Sequence, residues 1–341
     1  RKFLSEQEEP MEKKAYIYIN YANIVVLKVY LDVIKTALIK IGYECEYIES
    51  LDNIPKKALI VFPMAKDIFK YYFKGYRNVI LWQQGATGAE SFMRHKSKMR
   101  KFILDFMDCF AMNKAKMIFF VSQYMQEYYE AKAHRSFAKK AYVMPCFNET
   151  LDVSVFEKKD YSKKVFTYVG SLDLWQCFNE TADVYAEIEK RNSDAFFKVL
   201  TFNVEKAKEI LADKNIKNFS VACVPKEQVK KELEEATYGF ILRHDIEVNR
   251  VATPTKISSY LSAGVLPVYS SCLRDFHANA AGKSFAFALN PGKDLDGLAN
   301  YINEEKDKNS VLKEIQDLFD TYYSVENHVK NIVALSDGIL K

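Results

Sequence analysis

Residues 243–271, "RHDIEVNRVATPTKISSYLSAGVLPVYSS", gather groups that could hold a diphosphate. Arg243 and Arg250 carry planar, forked donors that match phosphate oxygens. Downstream, Ala252-Thr253-Pro254-Thr255-Lys256 leads into apolar residues at helical spacing, Ile257, Tyr260 and Leu261, and the pattern ends at Gly264. Thr253 or Thr255 can cap such a helix, and Pro254 is tolerated in its first turn, where a missing N–H costs little. Unpaired amides and the positive end of the dipole then favour an anion. Lys256 puts a cation at the helix end that ordinarily disfavours one, a cost removed when an anion arrives. Thr253 and Pro254 alone read as a capped helix with solvated charges. Together with Lys256, Arg243 and Arg250, all after a predicted strand end, they read as a nucleotide-diphosphate site.

The elements that must position these groups form two βα series. In the first, "AYIYI" reads as a strand and 25–41 as a helix closed by Gly42, followed by a strand at 43–48. Then come "KALIVFP" (strand), "AKDIFKYYFKGY" (helix), "NVILWQQG" (strand), one long helix over 90–114, "MIFFVS" (strand), "QYMQEYYEAKA" (helix) and "AYVMP" (strand). The second runs from "KVFTYVGSL" through helices at 179–191, 205–211 and 226–236, alternating with "FFKVLTF", "FSVACV", "YGFILR", "VLPVYSS" and "SFAFAL". Such alternation implies parallel sheets covered on both faces. The expected architecture is α/β, two Rossmann-like βαβ domains facing each other across a cleft. The N-terminal domain spans 11–148 and the C-terminal one 149–319, with a helix at about 320–341 packing back on the first. Ligands of open α/β sheets lie at the carboxyl ends of the strands.

The chain has 341 residues, enough for two cores rather than one. With 49% hydrophobic and 28% charged residues, it is an ordinary globular composition. A formal net charge of +4 is far too small for a nucleic-acid-binding protein. Cys45, Cys109, Cys146, Cys177, Cys223 and Cys272 are scattered, with no Cys-x-x-Cys and no metal spacing to His95, His134, His244, His277 or His328. No zinc site or disulfide framework is therefore expected, and a reduced cytoplasmic chain is. No apolar run approaches the ~20 residues of a membrane span. Met11 reads as a native start, so residues 1–10 carry no weight for the fold. His244, beside Arg243, could hydrogen-bond a substrate; Trp82 and Trp175 read as packing residues, although Trp175, after the Gly170 turn, could instead face the donor. In 92–110, Phe92, Met99, Phe102, Ile103, Phe106 and Phe110 make an apolar stripe flanked by Arg94, Lys96, Lys98, Arg100 and Lys101. Such a stripe commonly faces a core; the alternative is weak docking on the inner, anionic leaflet of a membrane.

"YGFILRHDIEVNRVATPTKISSYLSAGVLPVYSS" resembles the donor-binding region of GT-B glycosyltransferases, close to the retaining family 4 group, whose pattern is K-[IL]-x-x-Y-L-x-x-G-x-x-P-V. "FTYVGSLDLWQ" is similar to the first strand and turn of their C-terminal domain, and "LWQQGATGAESFMR" and "AKMIFFVSQYMQEYY" to N-terminal segments of bacterial surface-polysaccharide members. The resemblance covers most of 14–280. It implies hexosyltransferase-type transfer from a nucleoside-diphosphate sugar to a glycan or lipid-linked acceptor, with retention and no obligatory metal or cofactor. No Asp-x-Asp lies within that span to hold one; the sole Asp-x-Asp, Asp294-Leu295-Asp296, falls outside it. Arg243 and Lys256, with Asp245 as the nearest acid, are then the catalytic candidates, stabilising the departing diphosphate. Gly170, Ser171, Val224, Pro225, Arg250, Thr253, Pro254, Thr255 and Ser259 are implied at the donor, and Gln84, Gly85 and Glu90 at the acceptor.

The sequence departs from the pattern in two places. The positions of the E-x7-E glutamates are Val251 and Ser259, and "DLWQCFN" lacks the basic pair after the Gly-Ser turn. These departures keep open a non-catalytic relative that holds a nucleotide sugar or glycan. Another nucleotide-dependent α/β enzyme, a dehydrogenase or epimerase, fits less well. "YINYANIVVLK" stands where Gly-x-Gly-x-x-Gly would be, and no Tyr-x-x-x-Lys pair is in place.

Overall fold

The structure, a computed structural model, describes residues 13–19, 24–290 and 293–340. Met11 and residues 20–23 of the stretch after the first strand lie outside the described residues. The first series consists of β1 (Lys14–Tyr18), α1 (Ile24–Lys40), β2 (Glu44–Ile48), β3 (Leu59–Phe62), α2 (Ala65–Tyr72), β4 (Val79–Gln83), α3 (Thr87–His95), α4 (Lys98–Lys114), β5 (Met117–Phe120), α5 (Gln123–Ala133) and β6 (Ala141–Val143). The second opens with α6 (Ser154–Glu157), β7 (Val165–Val169), a 3-10 turn (Leu174–Gln176), α7 (Phe178–Arg191), β8 (Phe196–Leu200), α8 (Val204–Asp213), β9 (Phe219–Ala222) and α9 (Lys226–Glu234). It continues with β10 (Tyr238–Ile241), α10 (Glu247–Arg250), α11 (Lys256–Ser262), β11 (Leu266–Tyr269), α12 (Arg274–Ala280) and β12 (Phe287–Ala288). Three helices follow: α13 (Leu295–Asn303), α14 (Lys308–Thr321) and α15 (Val325–Asp337).

The chain divides into two compact units. One holds the described residues up to Phe120, Gln126–Met144 and the chain from Val325 onward; the other holds Val121–Met125 and Pro145–Ser324. Each has a six-stranded parallel sheet, ordered β2-β1-β3-β4-β5-β6 in the first and β12-β11-β10-β7-β8-β9 in the second. All residues of β3, β4, β5, β10 and β11 are buried, as expected of parallel strands covered on both faces. In the second sheet the strand order reverses between β7 and β10. A ligand crevice therefore opens beyond the carboxyl ends of those two strands.

One aromatic residue sets the height of α11 over that crevice. Tyr260 is fully buried and lies against Gly239 of β10, where a Cβ would overlap its ring. Its hydroxyl oxygen accepts the Val169 amide proton at the end of β7, at 3.1 Å. Lys256, one turn earlier, is thereby held above the residue that follows β7.

Two expectations fail in the first unit. The single helix over 90–114 is two helices, α3 and α4, divided at Lys96, whose φ is +53°, and Ser97. Ser97 accepts the Arg100 amide at 3.3 Å, an N-cap that starts a new helix where periodicity alone runs on. The apolar stripe does not face the core either. Met99 is 70% exposed, Phe102 69% and Phe106 55%, while α4 turns Asp108, Ala111 and Met112 inward. Helix α3 also packs on α4, and α2 covers the end of the stripe, where Phe69 lies 6.3 Å from Phe106 and 5.2 Å from Phe110 between ring centres. No helix among the described residues is long and apolar enough to cross a membrane.

Candidate functional site

Gly170 follows β7 with φ +134°, a conformation open to glycine, and a Cβ there would lie 3.1 Å from Lys256 Nζ. Lys256 Nζ donates to Gln176 Oε1 at 2.9 Å and sits 4.8 Å from the centre of the Tyr168 ring. Arg243, just past β10, reaches the same oxygen. Its Nη2 donates to Gln176 Oε1 at 2.5 Å, and its Nη1 donates to Gln176 O at 3.0 Å and to Leu242 O at 2.7 Å. One neutral amide thus bridges two cations, and neither makes an ion pair with a described carboxylate. Burial lowers the pKa of Arg243. Burial, and then the Arg243 charge, hold the Lys256 ammonium well below the usual lysine range. Lys256 keeps part of its side chain on the wall of a cavity of about 250 Å3, shared with Gly170, Thr255, Ser259 and, from α9, Lys226 and Val229. Positive charge without a counter-ion is what an anion site needs.

The remaining donor candidates are dispersed. Thr253 and Thr255 do not cap α11. Thr255 makes no cap hydrogen bond, and the Thr253 hydroxyl accepts from Cys146 N and donates to Val121 O. Arg250 is turned back by the single turn of α10 onto Asp245, Nε to Oδ1 at 2.5 Å, and each neutralises the other outside the Lys256 cavity. That pairing holds the Asp245 carboxyl below its ordinary range. Arg243 and Asp245 instead line a separate cavity of about 390 Å3, with Ser271, Arg274 and Lys293. Ser171 Oγ donates to Asp173, and Ser171 and Pro254 lie outside the Lys256 cavity. Val224 and Pro225 are also outside it, because α9 starts one residue later and presents Lys226, Val229 and Lys230 in their place. His244 Nε2 is 2.6 Å from Glu180 Oε1, a protein partner.

In the first unit, Gln84, Gly85 and Glu90 converge on one cavity of about 350 Å3 beyond the ends of β3 and β4. Gln84 Nε2 is fixed on Pro63 O at 2.8 Å. Burial raises the pKa of the Glu90 carboxyl, which packs against Gly85. Two further residues of this cavity were not expected. Buried Gln83 donates to Gly85 O at 2.8 Å and to Tyr129 Oη at 3.0 Å. Asp108, 3% exposed, accepts from Tyr129 Oη at 2.7 Å, and burial pushes its pKa up to about 7. This cavity presents carboxyl groups where the other presents cations.

No protein-family model and no curated protein sequence matches the chain. Solved structures do. HepE from Anabaena, solved with UDP and glucose, superposes with a TM-score of 0.65 at 13% identity, over 95% of this chain and 98% of HepE. The lipopolysaccharide outer core galactosyltransferase WaaB gives 0.62 at 12% identity, over 95% of this chain and 99% of WaaB. Both are GT-B glycosyltransferases. The chain has the GT-B fold. A mutant of S. aureus TarM, solved with fondaparinux, alpha-GlcNAc-glycerol and UDP, matches with a TM-score of 0.62 at 10% identity and covers 82% of this chain; the chain spans 55% of TarM.

At such identities the likeness is one of fold, and the GT-B scaffold leaves its chemistry to be argued from side chains. Of the two glutamate positions of the E-x7-E pattern, Val251 is buried, while Ser259 lies on the wall of the Lys256 cavity and donates to Asn148 Oδ1 at 2.8 Å. No signal in "LWQCF" marks Gln176 as a bridge. Gln83 does leave one, a polar residue closing an apolar strand at its carboxyl end.

Proposed function

We propose that the chain is a retaining, metal-independent glycosyltransferase that moves a sugar from a nucleoside-diphosphate sugar to a glycan or lipid-linked acceptor of a surface polysaccharide. The observation that carries this reading is the Arg243–Gln176–Lys256 bridge, two desolvated cations without a carboxylate at the strand-order reversal of the second sheet. A departing diphosphate develops negative charge, and cations held ready for it lower the barrier without rearranging. Protein cations do here what a divalent metal does elsewhere. The UDP in the HepE and TarM complexes supports a nucleoside-diphosphate donor. The Gln84–Gly85–Glu90 cavity is the acceptor side, where buried carboxyl groups suit the hydroxyls of a sugar. Ser259 in a glutamate's place favours a second reading, a relative that binds a nucleotide sugar without turnover.

The test is a thermal-shift screen against UDP, GDP, CMP, ADP and NAD+, with and without EDTA, followed by a turnover assay. One nucleoside diphosphate is expected to stabilise the chain in EDTA, since a ligand bound only by the native state raises the melting temperature. Stabilisation by NAD+ alone, or by nothing, would overturn the assignment. Donor binding without sugar transfer would leave the second reading.

We also propose that Met99, Phe102, Ile103 and Phe106, flanked by Lys98, Arg100 and Lys101 on α4 and neighboured by exposed Phe73, dock on an anionic leaflet. Co-sedimentation with phosphatidylglycerol vesicles is expected, weakened by Phe102→Ser/Phe106→Ser and by raised salt. Equal recovery of the double variant and the unaltered chain would sink it.

A further inference from the structure

Outside the Lys256 and Glu90 cavities, a third set of side chains converges. Cys177, Glu180 and His244 bring a thiol sulfur, a carboxylate oxygen and an imidazole nitrogen within 4.8 Å of one another. No sequence spacing indicates this group, because Glu180 and His244 are 64 residues apart and meet through the adjacency of β7 and β10. Cys177 is 2% exposed and ends the 3-10 turn with φ +51°, a left-handed conformation that costs a residue with a side chain. The Glu180 and His244 side chains are 33% and 50% exposed, so sulfur forms the floor and the other two the mouth.

We infer that Cys177 Sγ, Glu180 Oε1 and His244 Nε2 form a zinc site, with water completing a tetrahedron. Sulfur, nitrogen and oxygen donors in one small group suit Zn2+, whereas Mg2+ and Ca2+ take oxygen ligands. Bonds of about 2.0–2.3 Å set tetrahedral ligand atoms about 3.3–3.8 Å apart, so closure needs only rotation of the two exposed side chains. The balance is simple. The Cys177 thiol loses its proton to solvent as the S–Zn bond forms, and Glu180 and His244 exchange their mutual hydrogen bond for the metal. Thiolate and carboxylate together offset the ion's two charges, leaving a neutral centre beside buried Arg243.

Location gives the site its consequence. Cys177 follows Gln176, and His244 follows Arg243. Zinc there clamps together the two segments that present the bridged cations, a structural control on the Lys256 cavity that takes no part in the transfer itself. The site stands apart from the proposed reaction, since it can be occupied whether or not the chain transfers a sugar.

The experiment uses the full chain freed of metal with EDTA and titrated with Co2+ and then Zn2+. One equivalent of Co2+ is expected to produce a thiolate-to-metal charge-transfer band, and Zn2+ to displace it, raise the melting temperature and release one proton by calorimetry in two buffers. Cys177→Ser should abolish the band and weaken Zn2+ binding by more than the ~10–100-fold that losing an outer-shell partner costs. His244→Gln and Glu180→Gln, at exposed positions, should each weaken it while leaving the fold intact by circular dichroism. Cys223→Ser, which removes an exposed thiol, should bind as the unaltered chain does. No band, or a band that persists in Cys177→Ser, overturns the site. Should Cys177→Ser fail to fold, unchanged zinc affinity in both of the other variants overturns it equally.

Discussion

Lys256→Met is expected to weaken nucleoside-diphosphate binding by roughly 5–150-fold, the scale of a lost charged hydrogen bond of about 1–3 kcal/mol. It should also leave the ligand-free chain at least as stable as before. The reason is the position of the ammonium, which is desolvated, bonded to one neutral amide, repelled by Arg243 and ion-paired with no described carboxylate. Methionine keeps the stem and removes the charge, so packing against Tyr168 survives. An arriving diphosphate supplies the counter-charge the site lacks and moves the lysine pKa back toward its ordinary range. Titration calorimetry of the unaltered chain and of Lys256→Met reads the loss of affinity. Unchanged affinity would place the diphosphate elsewhere. A large fall in melting temperature of the ligand-free variant would make Lys256 a structural residue.

Asp108→Asn should flatten the dependence of stability on pH. The folded pKa of Asp108 is raised from 3.8 to about 7, chiefly by burial. The native state therefore holds a proton that the unfolded chain releases between those values. The stabilisation this gives is complete below the unfolded pKa and is lost as pH rises through about 7. Three units bound it at about 4 kcal/mol, and relaxation around the charged form brings it to a few kcal/mol. An asparagine side chain carries no such proton, so the variant should equal or exceed the unaltered chain in stability above neutral pH. Asp67, raised to about 6 by burial, adds a slope of the same sign that remains. Urea unfolding at acid and alkaline pH checks this, and equal slopes in the two proteins would refute it. Ligand binding in the Glu90 cavity should follow the same titration, since Asp108 lines it.

Much of the scaffold was legible in the residues. Parallel strands covered on both faces read as short apolar runs, as β3, β4 and β5 do, and the helix expected at "QYMQEYYEAKA" is α5 from end to end. The break between α3 and α4 was not legible, because one serine hydroxyl ends a periodicity that the apolar residues continue. The direction of the α4 stripe was not legible either. Periodicity says that a helix has two faces; its neighbours decide which is covered.

For the site, the sequence by itself determined that two βα series would present Arg243, Lys256 and Gly170 at strand and helix ends, because charge and glycine at such ends are local properties of the chain. The tertiary structure decided which of them share a cavity. It set Gln176 between two cations, paired Arg250 with Asp245, moved Asp108 into a carboxyl-lined pocket and gathered Cys177, Glu180 and His244. Gln176, Cys177, Glu180 and His244 are ordinary until a strand order that sets β7 beside β10 joins segments far apart in the chain. Their pairings are properties of that adjacency.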